Sequence, residues 1–151
     1  LFNTVGPRQT GQYGMVLPRF VESALKGAPI RVFGSGEQSR CFCHVKDTVR
    51  ALKSLASLDS AVGKIFNIGS SRRVTINELA EMVVKLLGSK SKIVRIPYEQ
   101  AYEKGFEDMM HRAPDTRETR KMAGWKPMHD LEKIILDVAE HVGKKGKHKK
   151  K

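Results

Sequence analysis

The feature that most restricts the fold of this chain is an alternation. Segments whose apolar residues recur every three or four positions take turns with short apolar runs, and glycines or prolines mark the joints. Residues 17–26 carry Leu17, Phe20, Val21, Ala24 and Leu25 on one helical face, with Pro18 tolerated in the first turn and Gly27 as the stop. The run 30–33 then reads as a strand, Gly34-Ser35-Gly36-Glu37 as a turn, and 40–45 as a second strand. Asp47 is placed to cap a helix through Val49, Leu52, Leu55 and Ala56, and 64–68 reads as a third strand. Thr75 and Glu78 have capping-box spacing before a helix that ends at Gly88; 92–96 is a fourth strand, stopped by Pro97. Asp115 and Glu118 repeat the box before a short helix ending near Gly124, and 130–142 forms the last helix, with Leu131, Ile134, Ile135, Val138 and Val142 in one stripe. The class is mixed α/β, without internal repeats.

At 151 residues and 40% hydrophobic, the chain has enough apolar material for one domain with a core and is short for two. No apolar run approaches the roughly 18 residues of a spanning helix, so no membrane partner is expected. The opening Leu1-Phe2-Asn3-Thr4 lacks the basic and apolar regions of a signal peptide. Cys41 and Cys43, two apart, suit neither a disulfide framework nor a C-x-x-C metal site, and the expected compartment is a reducing cytoplasm. The net charge is +12, and six of the lysines lie in residues 144–151, which contain no acid. That segment reads as a disordered tail that attracts polyanions nonspecifically, leaving 1–143 as the folded unit. The remaining excess still favours an anionic ligand.

Several catalytic signatures are absent from these residues. Gly34 and Gly36 begin a G-x-G-x-x-G pattern, but Ser39 stands where its third glycine belongs. No tyrosine has a lysine four positions on: Tyr13 is followed by Leu17, Tyr98 by Tyr102 and Tyr102 by Phe106. Nor is there a G-x-S-x-G, H-E-x-x-H or Walker pattern.

Three blocks nonetheless stand in a distinctive order: Leu1-Phe2-Asn3-Thr4-Val5-Gly6-Pro7-Arg8, then Gly14-Met15-Val16-Leu17-Pro18-Arg19-Phe20, then Gly27 through Arg40 with Val32-Phe33-Gly34-Ser35-Gly36 inside it. Phe66-Asn67-Ile68-Gly69, Arg112-Ala113-Pro114-Asp115 and Gly124-Trp125-Lys126-Pro127 follow. In these motifs, and over nearly everything before the lysine tail, the chain resembles the nucleotide-sugar epimerases and dehydratases, the extended short-chain dehydrogenases. The resemblance implies the C-terminal, substrate-binding part of a Rossmann-type α/β fold, without the Rossmann half that binds NAD and carries the Y-x-x-x-K pair. It implies that Asn3, Arg40, Asn67 and Arg112 hold a pyrophosphate, that Val16, Arg31 and Phe33 line the base and ribose, and that Phe2 lies near the nicotinamide. The implied ligand is a UDP-sugar and the implied cofactor NAD, bound mainly by the other half. Within the family the likeness is greatest to UDP-glucose 4-epimerase-type enzymes, with UDP-glucuronate decarboxylase-type enzymes as the alternative.

The residue types agree with that reading on their own chemistry. A nucleoside diphosphate sugar asks for guanidinium forks, amide donors and an apolar wall. Plainer roles compete with it. Phe33 serves equally as core, Asn67 in a buried strand needs a backbone or ligand partner, and Cys41, Cys43 and His44 on one strand are better packing than zinc ligands, so no metal is assigned. Gly34 and Gly36 read as a turn before they read as a phosphate nest. A non-enzymatic RNA- or polyanion-binding module is the contrasting function; aromatics, at 7%, are not interleaved with basic residues as stacking platforms require, so no specific nucleic acid is expected.

Overall fold

The computed structural model describes residues 1–9, 15–97 and 109–148. Most of the loop around Gly14, the tyrosines at 13, 98 and 102, and Lys149 to Lys151 lie outside the described residues. Among those described, six short strands and five helices alternate: β1 (Thr4–Val5), α1 (Val16–Lys26), β2 (Ile30–Phe33), β3 (Ser39–Arg40), β4 (Cys43–His44), α2 (Val45–Ala56), β5 (Val74–Thr75), α3 (Ile76–Leu86), β6 (Ile93–Ile96), α4 (Arg117–Ala123) and α5 (Leu131–His148), with one 3-10 turn at Asp59–Ala61.

Helices α1, α3 and α5 pack on one another beside β2, because each carries an apolar stripe that water disfavours. Leu17, Val21, Leu79, Val83, Ile134 and Ile135 are almost wholly buried there. Strand β2 alternates as a half-buried strand must, Ile30 and Val32 inward and Arg31 outward, and it pairs in parallel with β6 from Ile30 opposite Ile93 to Phe33 opposite Ile96. A second cluster gathers Cys43, Ala51, Ile68 and Trp125, closed by the indole N–H donating to the Asp47 carbonyl at 2.9 Å. Helix α3 begins with the expected capping box: Thr75 Oγ1 accepts from the Glu78 amide and Glu78 returns to the Thr75 amide.

Five local expectations differ from the structure. The strand expected over 40–45 is two pieces with different neighbours: Ser39–Arg40 runs antiparallel to β5, whereas Cys43–His44 runs parallel to β1. The chain changes partner between them, and the Cys41 carbonyl takes a side-chain donor, Asn3 Nδ2, at 3.0 Å. Asp47 does not cap α2; His44 does, its ring accepting from the Lys46 amide, and Asp47 sits in the first turn. Residues 64–68 form no strand: their carbonyls take isolated donors, the Phe2 amide at Ile68 and the Thr119 hydroxyl at Asn67, rather than a ladder. Asp115 and Glu118 form no capping box: Thr116 is the N-cap of α4, and Asp115 accepts from the Arg117 amide just ahead of it. Finally, α5 does not stop at Val142 but runs on to His148. Lysine is a good helix former, and Lys144 pairs with Glu140 one turn back, which carries the helix past Gly143.

Candidate functional site

A cleft of about 620 Å³ opens beside the N-terminal half of α1 and the strands β1 and β2. Asn3, Val16, Arg31, Phe33 and Arg40 all line it, joined by Arg19, Gln38 and Phe42. Sequence spacing brings these residues together only through the fold. Helix α1 supplies Val16 and Arg19 from its first turns, β2 supplies Arg31 and Phe33, and the β3 segment supplies Arg40. Among the described residues the first turn of α1 has neither a side-chain cap nor an acidic residue, and Met15, Val16 and Leu17 at this helix start are among the cleft residues.

Asn3 is the knot at the polar end. Its φ of 38° is in the left-handed region, which Asn tolerates better than most residues. There its Nδ2 donates to the Cys41 carbonyl and its Oδ1 lies 3.5 Å from Arg112 Nη2, while its own carbonyl accepts from the Cys43 amide. Arg112 thus joins the site through Asn3 without lining the cleft, its Cζ standing 5.6 Å from the centroid of the Phe2 ring. Arg112 Nε is buried and without a hydrogen-bond partner among the described residues. Arg40 is anchored by donating from Nη1 to the Ser39 and Met109 carbonyls, both at 2.8 Å. The two arginines, 72 positions apart, each follow one member of the parallel bridge between Ser39 and His111, so the backbone brings them alongside each other. Gly69 permits the close approach of Pro114 and Phe2 behind Asn3, for a Cβ there would lie 2.8 Å from Pro114 and 2.9 Å from Phe2.

The structure does not draw Asn67 into this group. Its side chain is exposed, and its carbonyl takes the Thr119 hydroxyl at 2.7 Å, an anchoring role for the backbone instead of the side chain. The Gly34–Gly36 turn is filled: a Cβ on Gly36 would meet the Asn77 amide at 2.1 Å, and Asn77 Nδ2 donates to the Ser35 carbonyl, so the loop is a closed turn with no open cradle. Cys41 and Cys43 are free and buried, and burial pushes both thiols up, away from the reactive thiolate. Arg19, Gln38 and Gln9 are cleft residues that sequence reading missed; Arg19 lies one turn into the helix whose start was already assigned to the site, and that proximity was the available signal.

Residues 1–69 match the NAD dependent epimerase/dehydratase family. The chain is 42% identical over 141 residues to UDP-N-acetyl-alpha-D-glucosaminuronate decarboxylase of Bacillus cytotoxicus, covering 92% of this chain and 43% of that protein. It is 32% identical over 148 residues to UDP-glucuronic acid decarboxylase 1 of Danio rerio, covering 98% of this chain and 34% of that protein. Among solved structures it superposes on the UDP-glucose 4-epimerase of Thermotoga maritima, in complex with UDP-glucose, with a TM-score of 0.81 and 31% identity, over 95% of this chain and 44% of that one. The chain therefore spans less than half the length of the relatives it matches, and its α/β architecture is a partial Rossmann-type fold of their kind. With the motifs in order and the fold shared from end to end of the described chain, these residues belong to the NAD dependent epimerase/dehydratase family.

Proposed function

We propose that this chain is the nucleotide-sugar-binding portion of an NAD-dependent enzyme that acts on a UDP-sugar, and that the reaction is of the decarboxylase type. The observation that carries the binding reading is that Asn3 and Arg40 line one cleft together with Val16 and Phe33, with the half-satisfied Arg112 behind them against Asn3. Guanidinium forks and an uncapped helix start suit a dianionic pyrophosphate, and the apolar wall suits a planar base. The sequence motifs put a 4-epimerase first; two relatives named as uronate decarboxylases, one of them 42% identical, favour the decarboxylase.

Phe2, half-buried under Arg112, is the residue of this chain that faces the nicotinamide in the proposed whole enzyme. NAD, when bound, accepts and returns a hydride; these residues carry no glycine-rich fingerprint for it, so their share in the chemistry is to grip and orient the sugar nucleotide. Ile65 and Val62, 91% and 81% exposed, give the other half of the enzyme an apolar strip to cover. The free cysteines fit a reducing, cytoplasmic setting.

The test is product analysis with the intact protein, NAD and either UDP-glucuronic acid or UDP-N-acetylglucosaminuronic acid. Release of carbon dioxide with a UDP-pentose-type product is expected. Interconversion of UDP-glucose and UDP-galactose without decarboxylation of either uronate would return the assignment to the epimerase.

A further inference from the structure

Four cationic side chains line the cleft: Arg19, Lys26, Arg31 and Arg40. Lys26 is committed to Glu22, at 2.6 Å, and Arg40 to the carbonyls of Ser39 and Met109 at the polar end. Arg19 differs from both. Half-buried on α1, it holds its Cζ 5.3 Å from the centroid of the Phe33 ring, and among the described residues its guanidinium makes no hydrogen bond or ion pair. Stacking on an aromatic face engages the flat of the guanidinium and leaves its in-plane N–H donors unspent. The ring thereby fixes a fork of donors in the wall against which a base would rest.

We propose that Arg19, held over the Phe33 ring, reads a carbonyl edge of the nucleotide base and makes the cleft select uracil. The proposal rests on the reading of the cleft as a UDP-sugar site. Uracil offers an oxygen at position 4, an acceptor for the fork, where cytosine offers an amino group, a donor facing a donor. A site built to donate rejects the analogue that cannot accept. Lysine in place of Arg19 keeps the charge but neither the plane nor the fork, so it separates base reading from general attraction.

The experiment is calorimetric binding of UDP, CDP and inorganic pyrophosphate to the intact protein and to its R19A, R19K and F33L variants, each checked by thermal melting. Arg19 is partly exposed, and R19K preserves its stem and charge should R19A fold poorly. The unaltered protein is expected to bind UDP about tenfold more tightly than CDP, roughly one hydrogen bond to a charged group. In all three variants that preference falls to within about twofold, while pyrophosphate affinity stays within about twofold of the unaltered protein. A preference that survives in R19K, an equal loss for all three ligands in R19A, or no preference in the unaltered protein overturns the role of Arg19 while leaving the UDP site standing. Failure of the unaltered protein to bind UDP at all overturns the functional reading and this one with it.

Discussion

Asp47 shows how much one residue can carry. Its side chain is 1% exposed, and its Oδ2 accepts from the amides of Met128 and His129 and from His129 Nδ1, while Oδ1 accepts from Arg50. Burial pushes its carboxyl up, but these hydrogen bonds outweigh that and hold it below the ordinary aspartate value. Asp47→Ala leaves two amides without an acceptor beside Trp125, and we expect about 3 kcal/mol of lost stability by denaturant unfolding. A loss under about 0.5 kcal/mol, the range of neutral surface changes, would contradict this role. His44 stacks on His129 with centroids 4.4 Å apart, and its Nε2 lies 3.2 Å from Asp137. Burial and the neighbouring His129 depress its pKa below 6.5, against the pull of Asp137. The unfolded chain therefore takes up this proton first, so the stability is fully present above about pH 6.5 and is lost as pH falls from there through the depressed folded value. His44→Asn keeps an N-capping side chain and removes the titration; melting points between pH 7.5 and 5.5 should flatten in that variant, and an unchanged slope would place the acid sensitivity elsewhere. Sequence put Asp47 at the start of α2 as its cap and left His44 in the preceding strand, because capping statistics favour Asp and the amides that claim its carboxylate lie 81 and 82 positions away.

At the level of elements, periodicity found what local forces decide. The helix read over 17–26, the Thr75 capping box and the 30–33 strand follow from apolar spacing and caps within a few residues, and the structure has them, the helix starting one residue earlier at Val16. Failures came where the outcome depends on a distant partner. Apolar content made 64–68 look like a strand, yet a strand exists only with a ladder, and the Ile68 carbonyl meets one amide. The run 40–45 divides because β5 claims Arg40, together with Ser39 before it, whereas β1 claims Cys43 and His44. The last helix runs past the apolar stripe that ends at Val142, as far as His148. Deleting residues 144–151 should remove most nonspecific affinity for a polyanion such as heparin or RNA and flatten its salt dependence, with UDP binding and the melting point preserved. Polyanion binding that persists with an undiminished salt slope would move the attraction to the folded part and strengthen the case for a nucleic-acid module.

For the whole molecule, the central claim is that the fold gathers residues far apart in sequence into one grip for a pyrophosphate. Five of the seven substrate residues read from sequence, Asn3, Val16, Arg31, Phe33 and Arg40, line one cleft. Arg112 reaches it through Asn3, and Asn67 does not, its side chain lying exposed beyond a backbone anchor. That much was legible because motif order encodes topology; Arg19 was not, since an arginine on a helix gives no sign of which ring it will meet. The Nε of Arg112 is buried and without a partner among the described residues, and the proposed pyrophosphate is the acceptor assigned to this guanidinium. The most direct measurement is calorimetric titration of UDP into the intact protein and its R40A, R112A and R112K variants. Each alanine replacement should weaken binding by about 1.5 to 3 kcal/mol, with R112K recovering little because a lysine lacks the fork. UDP affinity unchanged in both alanine variants, with the melting points intact, would contradict the account.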